Sequence, residues 1–171
     1  HGGPPERVAV EFQPIMTLES DPRLGLPAFA ASDPRRDNKL FGFTISHFAE
    51  KARWALDYKA VPYRWIALLP GPHLRTVRRM APKTTVPVLR DGETVVQGSS
   101  EILDYVEARH PESSLTPTSE EERQEARDLE DRFDRVIGEA TRRIFYSHAL
   151  PHRRLTVRLF TQGGPAWGPA L

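Results

Sequence analysis

Hydrophobic periodicity is weak up to about residue 37 and sharp beyond it. The run Leu40-Phe41-Gly42-Phe43-Thr44-Ile45 predicts a buried strand, and Ser46 stands where it can cap a following helix. On that helix Phe48, Ala52, Ala55, Leu56 and Lys59 recur at helical steps, while Glu50, Lys51, Arg53 and Asp57 face mostly outward. Val61 to Leu68 predicts a second strand, and the spacing fits a right-handed parallel crossover. Pro70-Gly71-Pro72 then breaks the chain before a short basic helix or turn, His73 to Met80. Two further strands, Val86 to Arg90 and Thr94 to Gln97, flank the hairpin signal Asp91-Gly92. Ser99 or Ser100 caps a helix that carries Ile102, Leu103, Tyr105 and Val106 and ends near His110-Pro111.

After a polar linker, residues 111–117, Thr118-Ser119-Glu120-Glu121 reads as a capping box opening one long helix. Ala126, Leu129, Phe133, Val136, Ile137, Ala140 and Ile144 form a stripe along it that calls for partner helices. Leu155 to Phe160 is the one further helical piece before Gly163-Gly164-Pro165, so the helical part reads as unfinished. The organisation predicted is a loose, proline-rich extension at 1–37 with a short strand at Val8, Val10 and Phe12, an α/β domain at 38–110, the linker, and a partial all-helical domain at 118–171. His1 in place of Met adds to the expectation that the sequence is a piece of a longer protein.

Composition narrows the chemistry. The 171 residues carry 24 Lys and Arg against 23 Asp and Glu, so no overall field draws the protein to nucleic acid or an anionic membrane, and an anionic ligand must be held locally. With no cysteine, disulfides, thiolate metal sites and catalysis by a protein thiol are excluded. The six histidines are scattered without ligand spacing, so no metal is expected. No window is apolar enough to span a membrane and the cytosol is the default compartment. Thr84-Thr85-Val86-Pro87-Val88-Leu89, followed by Gln97-Gly98-Ser99-Ser100-Glu101-Ile102, sets a proline at a strand start near a serine pair opening a helix. That arrangement suits gripping a small peptide by its backbone.

Four segments in this order resemble the glutathione S-transferase family: Lys39 to Phe43, Ser46 to Leu56, Ala81 to Leu89, and Gly98 to Ile102. The resemblance implies a thioredoxin-like βαβαββα domain followed by an all-α domain. It also implies glutathione as co-substrate, a small hydrophobic electrophile, a homodimer, and glutathione transferase activity of the detoxification type. The residue after the first strand activates the glutathione thiol, and here it is Ser46. Its O–H can donate to the sulfur and favour thiolate, with the helix N-terminus adding positive potential. His47 beside it is a donor or base, or an exposed helix-start residue, and Phe48 adjoins the same site. The motif is similar to an omega-like version that has Cys at the Ser46 position and Pro at the His47 position. Serine points to transferase or peroxidase chemistry and away from thiol–disulfide reduction, which needs a protein thiol.

The resemblance further implies a cis Val86-Pro87 bond, with the Val86 backbone meeting the cysteinyl segment of glutathione, and Thr85 beside it. Ser99 receives the γ-glutamyl carboxylate, assisted by Ser100 and the free amides of the helix end. The family places an acidic or amide residue just before this serine to take the ammonium, and this chain has Gly98 there; Gln97 or a partner subunit is the expected substitute. His73, Arg75, Arg78, Arg79 and Lys83 are a basic segment for the glycine carboxylate, or a solvated basic helix. A second function class stays open, a module that keeps the fold for binding or interaction without turnover.

Overall fold

The computed structural model describes residues 38–166 and 168. The extension, with its expected strand at Val8 to Phe12, lies outside the described residues. Four strands form one mixed sheet in the order β2-β1-β3-β4: β1 (Lys39–Gly42), β2 (Arg64–Ala67), β3 (Val88–Asp91) and β4 (Thr94–Gln97). β1 and β2 are parallel, as the crossover requires, and β1/β3 and β3/β4 are antiparallel. The helices of this part are α1 (His47–Tyr58), α2 (His73–Val77) and α3 (Ser99–Arg109).

Alternation on the strands sorts the core into two layers. Leu40 and Leu89, paired across β1 and β3, join Ala52 and Leu56 of α1 and Ile102 and Val106 of α3 on one face. Phe41 and Val88, paired one residue along, face the other way with Val77 of α2. Leu40, Leu56, Leu89 and Ile102 are fully buried, and truncating any one to Ala is expected to cost about 2–5 kcal/mol. β1 stops earlier than its apolar run predicts. Phe43 O accepts the Ser46 N–H at 2.9 Å and turns the chain, and a Cβ at Gly42 would lie 2.6 Å from Trp65 Cη2 and 2.8 Å from Ala49 Cβ. Glycine is required where α1 crosses so close.

Lys59, on the inward stripe of α1, is buried with its ammonium paired to Glu107 of α3 at 2.7 Å and donating to the carbonyls of His110 and Ser113. Glu107 in turn accepts from Ser114, Leu115 and Thr116. This ionic knot fastens α1, α3 and the segment that leads to the remaining helices.

The long helix forms, with two differences. Its cap is Ser119, whose Oγ accepts from Glu122 N at 3.3 Å, one residue later than Thr118. It is also interrupted: α4 (Glu120–Arg132) runs through a π-helical turn (Phe133–Gly138) into α5 (Glu139–Ala149), followed by α6 (Arg153–Thr161). The predicted stripe is not covered by described residues. Leu129, Phe133, Val136, Ile137 and Ile144 are 48–62% exposed.

Candidate functional site

The pairing of Phe41 with Val88 brings the C-terminal end of β1 beside the N-terminal end of β3, and the pairing of Val88 with Gln97 adds the end of β4. The N-termini of α1 and α3 therefore rise from one end of the sheet, with Pro87 between them. Free amides and the positive ends of both helix dipoles converge there.

Ser46 caps α1 from extended backbone (φ −87°, ψ 114°), and its Oγ accepts from Ala49 N at 3.3 Å. That bond uses a lone pair and leaves the O–H proton free to donate, so cap and thiol-facing donor are compatible roles. His47 opens α1 with its ring 4.1 Å from that of Phe48. Burial, the Arg142 cation and Lys51 hold the imidazole below its ordinary 6.5 against an opposing pull from Asp134.

The Val86-Pro87 bond is cis. Pro87 O accepts from Gly98 N at 3.0 Å, which joins the β3 start to the α3 start. Gln97 clamps the preceding loop: its Oε1 accepts from Lys83 N at 3.0 Å and its Nε2 donates to Lys83 O and Thr85 O, both at 2.8 Å. Gln97 is thus engaged by backbone, with one lone pair of Oε1 and the Nε2 group in use. The backbone of Lys83, Thr85, Val86, Pro87 and Gly98 forms one ledge, and the Lys83 side chain is exposed.

Neither serine caps α3. Its N-cap is Gly98, at φ +113° and ψ 149°, and it has no side-chain cap bond. Only glycine takes this backbone without strain. Ser99 is buried at the first helical position, 7% exposed. Ser100 comes next, and its hydroxyl is engaged by Lys51 Nζ at 3.2 Å and Asp134 Oδ2 at 3.4 Å.

Lys51, expected to face solvent, is central. Its ammonium pairs with Glu130 Oε1 at 2.6 Å and Asp134 Oδ2 at 2.7 Å, so helix α4 and the π turn close over α1 and α3. A Cβ on Gly138 would lie 3.0 Å from His47 Nε2 and 3.2 Å from Phe48 Cζ, so a glycine permits the π turn to approach the start of α1. Thr44 Oγ1 donates to Gln162 O at 2.8 Å, holding the end of α6 beside the same loop. No local sequence signal announces these contacts, which join residues far apart in the chain.

The His73 ring packs edge-on to Phe43 at 4.8 Å and its Nδ1 accepts from Gly71 N. Arg75, Arg78 and Arg79 are exposed. Among the described residues no group of three or more His, Asp or Glu is arranged to hold a metal ion, and no helix is long and apolar enough to cross a membrane.

The sheet order, the cis proline at its end and the helices that follow define a thioredoxin-like fold with a helical region appended. Residues 40–114 match the family described as glutathione S-transferase, N-terminal domain. This stretch is a glutathione S-transferase N-terminal domain by that match. The chain is 31% identical to glutathione S-transferase Z1 of Arabidopsis thaliana over 122 residues, 70% of this chain and 50% of that one. It is 33% identical to maleylpyruvate isomerase of a Ralstonia species over 94 residues, 53% of this chain and 44% of that one. The chain thus spans about half the length of these relatives. Among solved structures, beta-etherase LigF from Sphingobium superposes with a TM-score of 0.61 at 22% identity, covering 78% of this chain and 54% of that one. The theta class glutathione S-transferase from Xanthomonas axonopodis pv. citri, with glutathione bound, gives 0.59 at 22% identity, covering 79% and 62%. At this identity the likeness speaks to the fold.

Proposed function

We propose that the chain binds glutathione across the sheet end and activates its thiol for attack on an electrophilic carbon of a small hydrophobic molecule. The observation that carries this reading is Ser46: a hydroxyl at the N-terminus of α1 whose oxygen accepts from Ala49 N and whose proton meets no acceptor among the described residues. Donation from that hydroxyl to sulfur, together with the helix end, stabilises the thiolate relative to the thiol. The sulfur's proton leaves for solvent or for His47, and the thiolate pair then forms the new bond to carbon while either a leaving group departs with its bonding pair or the pair of a carbon–carbon double bond shifts to the neighbouring carbon and takes up a proton from solvent. Phe48 and the ledge of Lys83, Thr85, Val86, Pro87 and Gly98 lie along the peptide, with Ser99 and Ser100 at its γ-glutamyl end. A homodimer in the cytoplasm is the setting that the resemblance implies.

Nucleophilic addition of the thiolate is common to transfer and to isomerisation, so the relatives' names fit this chemistry without selecting the electrophile. In the expected outcome, a Ser46→Ala variant that still binds glutathione loses most of its conjugation rate towards a general aromatic electrophile. An unchanged rate would move the chemistry away from Ser46. One observation favours the second reading, a binding module without turnover: the stripe from Leu129 to Ile144 is open, so the described helices supply little enclosed wall for an electrophile. Glutathione binding with no depression of its thiol pKa would support that reading instead.

A further inference from the structure

The first turn of α3 holds two polar groups that the described protein leaves unused. Ser99 is 7% exposed, yet among the described residues no partner meets its hydroxyl. Glu101 forms no hydrogen bond or ion pair with any described residue, and it folds back over the helix start. A Cβ built on Gly98 would lie 2.0 Å from Glu101 Oε2 and 2.7 Å from its Cδ.

A glutamate at the third helical position ordinarily reaches back to the amide of the capping residue. That amide is taken here, because Gly98 N donates to Pro87 O at 3.0 Å. The Glu101 carboxylate is therefore not a cap. It occupies the space that a side chain at 98 would fill, a position whose φ of +113° disfavours any side chain. A carboxylate thus stands beside the hydroxyl of a serine that is 7% exposed and finds no partner among the described residues, and beside the free amides of a helix end. Anion receiver and cation receiver, both within the first turn of α3, match a single ligand feature: an α-amino-acid head with carboxylate and ammonium on one carbon.

We propose that Glu101 receives the α-ammonium of the γ-glutamyl residue while Ser99 and the first-turn amides take its carboxylate, so that Glu101 selects peptides with a free α-amino group. This rests on the glutathione reading above and assigns the ammonium contact within one subunit.

The test compares two ligands, glutathione and its desamino analogue glutaryl-cysteinyl-glycine, on the wild-type chain and on Glu101→Gln, by calorimetric titration. Wild type is expected to bind glutathione tighter than the analogue by about tenfold or more, the scale of one charge-assisted hydrogen bond, and E101Q to bind the two about equally. Equal binding of both ligands by wild type would overturn the proposal, as would wild-type discrimination retained in E101Q. Should E101Q fail to fold, the wild-type comparison still decides whether the ammonium is read, and Glu101→Ala whether Glu101 reads it. Binding of neither ligand to wild type would overturn the glutathione reading itself, an outcome distinct from loss of discrimination alone.

Discussion

The ammonium of Lys51 lies 2.7 Å from the carboxylate of Asp134, a residue 83 positions further along the chain. Both side chains are about a quarter exposed, and Glu130 and Ser100 complete the contact. Replacing Lys51 by Met would leave two carboxylates facing each other without their cation. We expect Lys51→Met to destabilise the fold by about 1–3 kcal/mol, with Lys51→Arg recovering part of the loss. Chemical denaturation of the two variants checks this, and equal midpoints for wild type and K51M would refute it.

Glu107 gives the fold a defined acid dependence. Burial alone would raise its pKa, but the Lys59 ammonium, Ser114, the Leu115 amide and Thr116 outweigh burial and hold it at about 2, against an ordinary 4.5. The folded value lies below the unfolded one, so the stabilisation is complete above the unfolded value and is lost as pH falls towards 2. Glu107→Gln should therefore cost about 1–3 kcal/mol at neutral pH, and its deficit should shrink below pH 4.5. A deficit of constant size across that range would contradict the assignment.

His47 should titrate below 6.5, and in the direction its neighbours dictate. Removing the Arg142 charge by Arg142→Gln is expected to raise the midpoint read from the imidazole resonances by NMR, because that cation disfavours imidazolium. The burial contribution stays in the variant, so the midpoint should remain below the free value. A downward move would show that Arg142 does not face the ring.

Gln97 holds the ledge in place through three bonds to the backbone of Lys83 and Thr85. Gln97→Leu should increase hydrogen exchange in residues 83–86 and weaken glutathione binding severalfold, with the core strands unaffected. Unchanged exchange in that loop would show that the amide clamp is dispensable.

Much of this architecture is legible from local pattern. The alternation of Leu40 with Phe41 and the turn at Asp91-Gly92 fix strands, and the stepped apolar positions from Phe48 to Lys59 fix α1. What local pattern misses is set by contacts distant in sequence or by backbone angle. Lys51 and Asp134 each sit on a face that reads as solvated, and only the fold brings them together. The stripe from Leu129 to Ile144 keeps helical spacing straight through the π turn, so nothing in it marks the interruption. Ser99 reads as a cap by residue type, yet Gly98 takes the cap position because the chain enters α3 at a positive φ. That shift frees the serine hydroxyl, and Gln97, a plausible ligand contact by position, turns out to be held by its own loop.

The proposed role of Ser46, to hold the glutathione sulfur as a thiolate, is read by titrating thiolate absorbance for glutathione bound to the wild-type chain and to Ser46→Ala. The expected midpoint lies at least one unit below the ~8.5 of a free cysteine thiol for wild type and returns towards it in the variant, each unit being worth about 1.4 kcal/mol. A bound thiol that titrates as free glutathione does, or the same depressed midpoint in both proteins, would contradict it.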